Sequence, residues 1–386
     1  MLTKISKFLK SKDFLGPFLV FFLTRIVLSI LSFLCLTSLT INLQYRFYSA
    51  FPLYTSANKF LEGFIRWDAS WYIDIVQKGY FFAKGGMSSI AFFPFYPLLI
   101  RSLQVFISDP YLAGILISNL CFLGALILLY KLVKIKIDER TAFKTIVLVA
   151  CFPFSFFFSS IYSESLFLLL VVLTFFLLEK RKWLWAALAV SLASITRLQG
   201  IFLIPILVFW PFTKIKNGEK DKLLLILASL LISSLGLVFF VSYNQIKFGN
   251  GLAFLAAHLQ GWGRNFNLVF PEHLRAINLL FGLKKIDFGI FDLLRITNFI
   301  LSLIWILFLQ AVYKSLGIFY TLFSFLGIVI PFANSLWSME RFLMVVFPVF
   351  IVLAKLKERY FLPLLIVFCT FLGLWASLFF LGYPVQ

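Results

Sequence analysis

Cysteine, histidine and acidic residues are scarce in this sequence. Its 386 residues include four cysteines, two histidines and 16 Asp or Glu residues. All four cysteines fall within apolar runs and none belongs to a Cys-x-x-Cys pair, so neither a disulfide framework nor a thiolate metal site is predicted. The two histidines are far apart in the sequence. These residues are Cys35, Cys121, Cys151, Cys369, His258 and His273.

Charged residues of either sign make up only 13% of the chain, whereas 62% is hydrophobic and phenylalanine alone occurs 52 times. A soluble domain of this length has no core large enough to hide so much apolar surface. The apolar runs are nearly continuous rather than alternating, and many are long enough to cross roughly 30 Å of hydrocarbon. This pattern indicates helices and argues against an outer-membrane barrel. We therefore predict an all-α, polytopic membrane protein.

The sequence also lacks an internal repeat and any Gly-, Ser- or Pro-rich linker, so residues 1–386 are expected to form a single membrane domain. The first apolar run follows a basic start and has no clear small-residue cleavage site, so a retained first span is favoured over a cleaved signal peptide. About eleven transmembrane helices are predicted. Their approximate ranges are 15–41, 111–131, 144–162, 164–180, 183–197, 198–213, 223–245, 297–314, 317–333, 342–354 and 360–381.

The formal net charge of +19 does not point to nucleic acid, because the basic residues lie in short clusters between apolar runs and not along one face. The clusters fall on one side of the predicted bundle, which is cytoplasmic by the positive-inside rule. The N-terminus is then cytoplasmic and the C-terminus outside, in the plasma membrane of a prokaryote or the endoplasmic reticulum membrane of a eukaryote. The clusters include Lys131, Lys134, Lys136, Arg140, Lys144, Lys180, Arg181, Lys182, Lys355, Lys357 and Arg359.

Two long segments, 42–110 and 246–296, then lie on the non-cytoplasmic side. Within the first, residues 91–107 are broken by two prolines, which favours a bent or interfacial helix. Within the second, residues 265–294 mix apolar residues with charges at helical intervals, as an amphipathic helix on the membrane surface does. Such interfacial helices would enclose a site at the membrane surface.

Four charged residues lie unusually close to apolar spans and emerge on this same face. A side chain that snorkels to the headgroups explains any single one of them equally well. Together they predict a site formed by convergence at the outer face. These residues are Glu164, Arg197, Glu340 and Arg341.

The most informative polar stretch is the string RWDASWYID, which begins at residue 66. If this stretch is helical, Trp67, Trp71 and Asp74 share one face. Asp68 and Tyr72 share another. A carboxylate then points into a cleft while tryptophans anchor the helix at the interface. An ordinary aromatic belt with solvated charges is the alternative, and composition alone favours it.

A series of motifs, in this order, resembles the PIG-V family of mannosyltransferases, which includes the enzyme that adds the second mannose in glycosylphosphatidylinositol assembly. The motifs are RWDASWYIDIVQKGY at 66–80, AFFPFYPLLIR at 91–101, IYSESLFLLL at 161–170 and SITRLQGIFLIP at 194–205. Weaker matches are HLQGWGR at 258–264 and SMERFLMVVFPVF at 338–350.

The resemblance implies a glycosyltransferase of the GT-C type, and a prokaryotic relative is expected. Such an enzyme moves a sugar, typically mannose, from a polyprenyl- or dolichyl-phosphate carrier to a lipid-linked or glycan acceptor, with inversion at the anomeric carbon. The position that matches the family's candidate catalytic base is Asp68. A carboxylate suits this role, because the acceptor hydroxyl must lose a proton as it attacks an oxocarbenium-like carbon.

The departing phosphate requires positive charge, and arginine binds phosphate bidentately while staying charged near lipid. Arg197 and Arg264 are the first candidates, followed by Arg66 and Arg341. Glu164 is expected to favour the positive end of its helix, with Ser163 as the cap, and it is also a candidate contact for acceptor hydroxyls. Further candidates for substrate binding, whose aromatic members suit either sugar stacking or interfacial anchoring, are Trp67, Trp71, Tyr72, Asp74, Tyr80, Gln260 and Trp262.

The sequence lacks an Asp-x-Asp pair, and Asp68 and Asp74 lie on different faces of a helix. No metal ligand and no certain cofactor are therefore predicted, although some GT-C enzymes use a divalent cation. His258 is expected to be structural. The alternative function is a lipid or glycolipid transporter. An inverted repeat typical of transporters is not evident, and of the charged residues only Arg25 is expected near the membrane midplane.

Overall fold

The computed structural model describes residues 11–41, 58–214, 222–262, 271–282 and 289–385. Within these ranges the chain forms helices joined by turns, and no strand is present. The helices are α1 (Lys12–Ser38), α2 (Lys59–Glu62), α3 (Asp68–Lys78), α4 (Phe95–Leu103), α5 (Pro110–Lys136), α6 (Glu139–Cys151), α7 (Glu164–Glu179), α8 (Trp183–Ser194), α9 (Leu203–Lys214), α10 (Lys222–Phe248), α11 (Ala253–Ala256), α12 (Pro271–Phe281), α13 (Ile290–Leu316), α14 (Ile318–Asn334), α15 (Met339–Leu343), α16 (Phe347–Ala354) and α17 (Glu358–Phe380).

Five helices in the described ranges, α1, α5, α10, α13 and α17, are long and apolar enough to cross a membrane. The predicted all-α, multi-pass membrane architecture is therefore confirmed. Other apolar helices, such as α8 and α14, have 12 and 17 residues and fall short of the usual spanning length of about 20. The predicted total of about eleven spans stays a prediction.

The predicted span 144–162 is not one helix. Helix α6 ends at Cys151, and Phe152 leaves the helical region with φ −55° and ψ 141°. The next residue is Pro153, and a residue before proline is pushed toward extended conformations. A 3₁₀ turn at Ser155–Phe158 follows, and the chain reaches α7 through a buried irregular segment.

A buried arginine of α1 fixes this irregular segment. Arg25 donates to the carbonyl oxygens of Ala150, at 3.0 Å, and Ser155, at 2.9 Å. Its guanidinium Cζ also lies 4.8 Å from the ring centroid of Phe122. A cation at the carbonyl end of a helix satisfies acceptors that the helix leaves unpaired. The break after α6 is thus a built feature, and it delivers the next polar residues to the site.

Helix pairs pack around an aromatic core. Helix α5 lies against α7, α7 against α8, and α8 against α10. Helices α13 and α14 are joined through Gly317, whose φ of 92° is a conformation that favours glycine. Most buried apolar side chains of the described chain belong to one continuous cluster. Burial of this surface between helices positions the helix ends that carry the polar residues.

Ion pairs tie helices together at the end of α7 that is remote from Glu164. Glu179 Oε1 lies 2.6 Å from Lys136 Nζ. Glu358 Oε1 of α17 lies 2.5 Å from the guanidinium of Arg140 in α6. Because α7 has 16 residues, its two acidic ends are separated by about 24 Å. The charged cluster described below therefore lies at the opposite end of this helix.

Candidate functional site

A cavity of about 240 Å³ opens where several helix ends and turns meet. The sequence-predicted candidates Asp68, Tyr72, Arg197, Trp262 and Arg341 all line it. Asp68 is the single carboxylate among the described lining residues. All six motifs that resemble the mannosyltransferase family contribute residues to the lining. Asp68 and Tyr72 reach it from the same face of α3, as the helical spacing predicts.

The charged residues at the cavity form a continuous chain of ion pairs. Asp68 Oδ2 accepts from Arg341 Nη1 at 2.6 Å. Arg341 Nε donates to Glu164 Oε1 at 2.5 Å. The same oxygen accepts from Arg197 Nη1. Charges removed from water remain ionised when they are paired in this way, so two carboxylates and two guanidinium groups are held together.

Asp68 is fixed as the first residue of α3. The hydroxyl of Tyr162 donates to the carbonyl oxygen of Arg66 at 3.1 Å and accepts from the backbone N–H of Asp68 at 3.2 Å. The fully buried Tyr162 hydroxyl is therefore both a donor and an acceptor at the start of α3. Trp67, between these two residues, has a φ of 53°, which residues other than glycine rarely adopt.

Glu164 is held at the start of α7 by contacts that differ from the predicted cap. Ser163 makes no side-chain bond to the first turn of the helix. Its Oγ instead accepts from the hydroxyl of Tyr72 at 2.9 Å. Glu164 itself is 0% exposed and does not line the cavity. The carboxylate thus faces the arginines, which are its partners, rather than the cavity.

Two short helical elements position the two arginines. Arg197 precedes the 3₁₀ turn Leu198–Phe202, and its Nε donates to Gln199 Oε1 at 3.2 Å. Gly200 permits this turn, because a Cβ there would lie 2.3 Å from the carbonyl carbon of Ala193. Arg341 lies in α15, with its Cζ 4.7 Å from the ring centroid of Tyr162.

Several predicted site residues lie away from the described cavity lining. Arg66 is 1% exposed and donates to the carbonyl oxygens of Glu62 and Phe380, each at 3.0 Å. The indole Nε1 of Trp67 donates to the carbonyl oxygen of Tyr383 at 3.1 Å. The bonds to Phe380 and Tyr383 connect the start of α3 to the C-terminal end of α17 and the residues after it. The structure therefore gives Arg66 and Trp67 partners within the protein.

Three more candidates lie in α3 or shortly after it. Asp74 Oδ1 pairs with Lys78 Nζ at 2.6 Å. Tyr80 donates to the carbonyl oxygen of Phe92 at 2.9 Å. Trp71 lies behind the wall, with its ring centroid 5.7 Å from that of Phe92 and 5.4 Å from that of Trp262, both of which line the cavity. Gln260 is exposed, and Arg264 lies outside the described residues.

His258, expected from the sequence to be structural, lines the cavity together with Trp262. His258 belongs to the π-helical turn Ala257–Gly261, and Trp262 follows it. Such turns are frequent at functional sites. Gly261 allows this turn to approach the loop at Gly86, since a Cβ at Gly261 would lie 2.2 Å from the Gly86 carbonyl oxygen. The signal in the sequence was the cluster of polar residues in HLQGWGR.

Sequence reasoning missed Asn334, Trp337 and Ser338, although they line the cavity between α14 and α15. Ser338 has a left-handed conformation with φ 61°. In the part of the chain that the structure describes, no group of three or more His, Cys, Asp or Glu side chains is arranged to hold a metal ion.

Comparisons with known proteins give a family and a set of distant structures. The family model for mannosyltransferase (PIG-V) matches residues 12–305. No curated protein matches the chain significantly. Among solved structures, the Archaeoglobus fulgidus oligosaccharyltransferase in the apo form is similar with a TM-score of 0.49 and 14% identity, over 94% of this chain and 56% of that one.

A second similar structure is the archaeal oligosaccharyltransferase AglB from the same organism in complex with an inhibitory peptide and a dolichol-phosphate. Its TM-score is 0.46 with 13% identity, over 94% of this chain and 55% of that chain. The present chain thus spans little more than half the length of these proteins. The family match covers most of the chain and includes Asp68, Glu164 and Arg197, whereas Arg341 lies beyond it. The chain therefore belongs to the PIG-V family of mannosyltransferases and is a multi-pass membrane protein.

Proposed function

We propose that this enzyme transfers mannose from a polyprenyl- or dolichyl-phosphate carrier to a hydroxyl group of a lipid-linked or glycan acceptor, at the non-cytoplasmic face of the membrane. The observation that carries the proposal is the convergence of Asp68, Arg197 and Arg341 on one cavity. A transfer of this kind needs a proton acceptor and a cationic site for phosphate in the same enclosed space.

Asp68 is the proposed general base. The acceptor oxygen forms a bond to the anomeric carbon while the bond from that carbon to the phosphate oxygen breaks. The hydroxyl proton passes to the Asp68 carboxylate and later to water, and the electron pair of the broken bond leaves with the lipid phosphate. That phosphate is a stable anion, so the step requires no general acid.

Inversion at the anomeric carbon is supported by the single carboxylate among the described residues that line the cavity. A retaining enzyme uses two carboxyl groups about 5–5.5 Å apart, one of them as a nucleophile on the sugar. Asp68 is the only described lining residue with a carboxylate. Glu164 is 0% exposed and bound to two arginines, so it is unsuited to attack a sugar in the cavity.

Arg197 is the proposed ligand of the donor phosphate among the described residues. Its side chain is 11% exposed and reaches the cavity. Its guanidinium Cζ lies 5.5 Å from the ring centroid of Phe342, which leaves the planar group supported on an aromatic face. Arg264, which lies outside the described residues, remains a candidate for the same role. Arg341, in contrast, is engaged by two carboxylates.

The remaining lining fits a sugar carried on a lipid. The rings of Tyr72, Phe92 and Trp262 offer stacking surfaces, and His258 and Gln199 offer hydrogen-bonding groups. Other parts of the wall are apolar, including Phe202, Leu255, Leu259 and Ile330. Polar groups at one part of the wall and apolar groups elsewhere suit a ligand with a sugar-phosphate head and a hydrocarbon tail.

The test is sugar transfer by purified protein. The protein in detergent or liposomes is incubated with polyprenyl-phosphate mannose and candidate glycolipid or glycan acceptors, and the products are identified by mass spectrometry. Formation of a mannosylated acceptor with inverted configuration supports the proposal. Movement of the intact donor across a liposome membrane without any transfer would instead favour a transporter.

A further inference from the structure

Glu164 contacts both guanidinium groups of the site, yet it lies outside the cavity lining. Its side chain is fully buried, whereas Arg197 and Arg341 reach the cavity. Both arginines bond the same carboxylate oxygen, Oε1. A ligand in the cavity therefore meets the arginines and not the acid that holds them.

Each interior member of the ion-pair chain is shared between two partners. Glu164 is divided between Arg197 and Arg341. Arg341 is divided between Glu164, at 2.5 Å, and Asp68, at 2.6 Å. The four formal charges cancel. In a buried group of paired charges, a change in one pair alters the strength of the next, so an event at Arg197 is transmitted to Asp68.

An anion in the cavity acts first on Arg197, which is the cation at the free end of this chain. A phosphate that attracts Arg197 competes with Glu164 for it. Glu164 Oε2 has no hydrogen-bond partner among the described residues, so Arg341 is then the remaining cation for this buried carboxylate. The attraction between Glu164 and Arg341 grows, and that between Arg341 and Asp68 weakens.

We propose that Glu164 is a positioning residue that couples phosphate binding at Arg197 to release of the Asp68 carboxylate from Arg341. The inference rests on the proposed function. Before the donor binds, Arg341 holds the Asp68 carboxylate in an ion pair. Once the donor phosphate engages Arg197, Glu164 holds Arg341 and the Asp68 carboxylate is free to take the proton of the acceptor hydroxyl. The base is thereby activated only when the donor is present.

The first experiment removes the charge of Glu164 and keeps its shape. In Glu164→Gln, Arg341 is left with Asp68 as its one charged partner, so kcat for transfer from polyprenyl-phosphate mannose is expected to fall at least about tenfold. Arg197 is no longer held by a carboxylate, so Kd for polyprenyl phosphate is expected to fall by about threefold or more. A loss of rate combined with tighter phosphate binding is a result that a merely structural role does not produce.

The matched control is Glu179→Gln, at the other end of the same helix, where the carboxylate pairs with Lys136. Its kcat and Kd are expected to stay within about twofold of the parent values, because it lies about 24 Å from the cluster. Glu164→Asp, which keeps the negative charge, is expected to recover part of the lost kcat.

A second arm keeps the inference testable if Glu164→Gln does not fold. In an Arg341→Gln background Asp68 is already free of its partner, so adding Glu164→Gln is expected to change kcat by less than about twofold. A further large loss in that background overturns the coupling. A parent-like kcat in Glu164→Gln also overturns it, whether or not the KM for the acceptor is raised. Weaker binding of polyprenyl phosphate by this variant overturns it as well.

The binding measurement separates this inference from the proposed function. If the parent protein transfers no mannose, the proposed function fails. The coupling is then judged on polyprenyl phosphate alone: tighter binding to Glu164→Gln supports it, and a Kd equal to that of the parent overturns it.

Discussion

Arg341 Nη1 lies 2.6 Å from Asp68 Oδ2, although 273 positions separate the two residues in the chain. The contact joins the first motif, at the start of α3, to the short helix α15 near the end of the chain. It closes one side of the cavity, and both residues line it. The proposed base is therefore held by a contact between distant segments that the fold brings together.

Replacing the Asp68 carboxylate is the most direct test of the general base. In Asp68→Asn the side chain keeps its size but no longer accepts a proton, so kcat/KM for sugar transfer is expected to fall by about 10²–10⁴. Initial rates with polyprenyl-phosphate mannose measure this change. The thermal midpoint of the purified variant shows whether it is folded.

Asp13→Asn is a suitable comparison. Asp13 also pairs with a cation from a distant part of the sequence, Lys134 at 2.9 Å, and neither residue lines the cavity. Its rate is expected to stay near that of the parent. A folded Asp68→Asn protein that transfers sugar at the parent rate would show that another group takes the proton.

Tyr162 is expected to set the position of Asp68 through its hydroxyl. Tyr162→Phe removes the bonds to the Arg66 carbonyl oxygen and to the Asp68 N–H. We expect a loss of about 1–2 kcal/mol in the free energy of unfolding, together with a kcat lowered by roughly threefold to tenfold, because small displacements of a catalytic group reduce rates.

Tyr320→Phe separates stability from catalysis. Tyr320 is 1% exposed and donates to Glu179 Oε1 at 3.2 Å, at the remote end of α7. This variant is expected to lose a similar amount of stability and to keep its kcat. Equal kcat values for the two folded variants would argue against a positioning role for Tyr162.

Helical spacing was sufficient to predict the shared face of Asp68 and Tyr72, because it depends only on neighbouring residues. Trp67, expected on the face of Trp71 and Asp74, instead precedes α3 with a φ of 53°. The break after α6 was missed, although Pro153 marks it. The apolar run through this region is continuous, so hydropathy alone does not reveal where a helix inside it ends.

The partners of the charged residues were not predictable from the sequence. Arg66 and Arg341 look alike there, as single arginines near apolar segments. The structure pairs Arg66 with the neighbouring Glu62 and with backbone carbonyl oxygens, and it pairs Arg341 with two carboxylates from distant segments. From the sequence, Glu164 was expected to stabilise the start of its helix or to contact acceptor hydroxyls. Its arginine partners were not predictable because they lie 33 and 177 positions away in the chain. Such pairings depend on tertiary packing, which one sequence does not specify residue by residue.

The orientation in the membrane stays a prediction, and labelling tests it. Met87 is 51% exposed in a loop near the cavity wall, and Lys357 is exposed at the opposite end of the bundle, next to α17. In a background without the four native cysteines, Met87→Cys is expected to react with a membrane-impermeant maleimide only from the non-cytoplasmic side. Lys357→Cys is expected to react only in inverted vesicles. The reverse pattern would place the site at the cytoplasmic face.

Helix α12 supports the part of the cavity wall that lies between α14 and α15. Glu272 Oε2 accepts from Ser335 Oγ at 2.7 Å and from the backbone N–H of Leu336 at 2.8 Å. The next two residues, Trp337 and Ser338, line the cavity. In Glu272→Ala these donors lose the carboxylate. Leaving a buried donor unpaired lowers the free energy of unfolding by about 1–3 kcal/mol.

We expect Glu272→Ala to raise KM for the donor or the acceptor by about threefold to tenfold, because the altered wall binds substrate less well. Its kcat should change less, since Asp68 and Arg341 are held by other contacts. Glu272→Gln keeps an acceptor oxygen in the same place and should stay close to the parent. Steady-state kinetics of the two variants decide the matter: a KM that is equally high in Glu272→Gln would assign the effect to the negative charge, and an unchanged KM in Glu272→Ala would mean that α12 does not shape the wall.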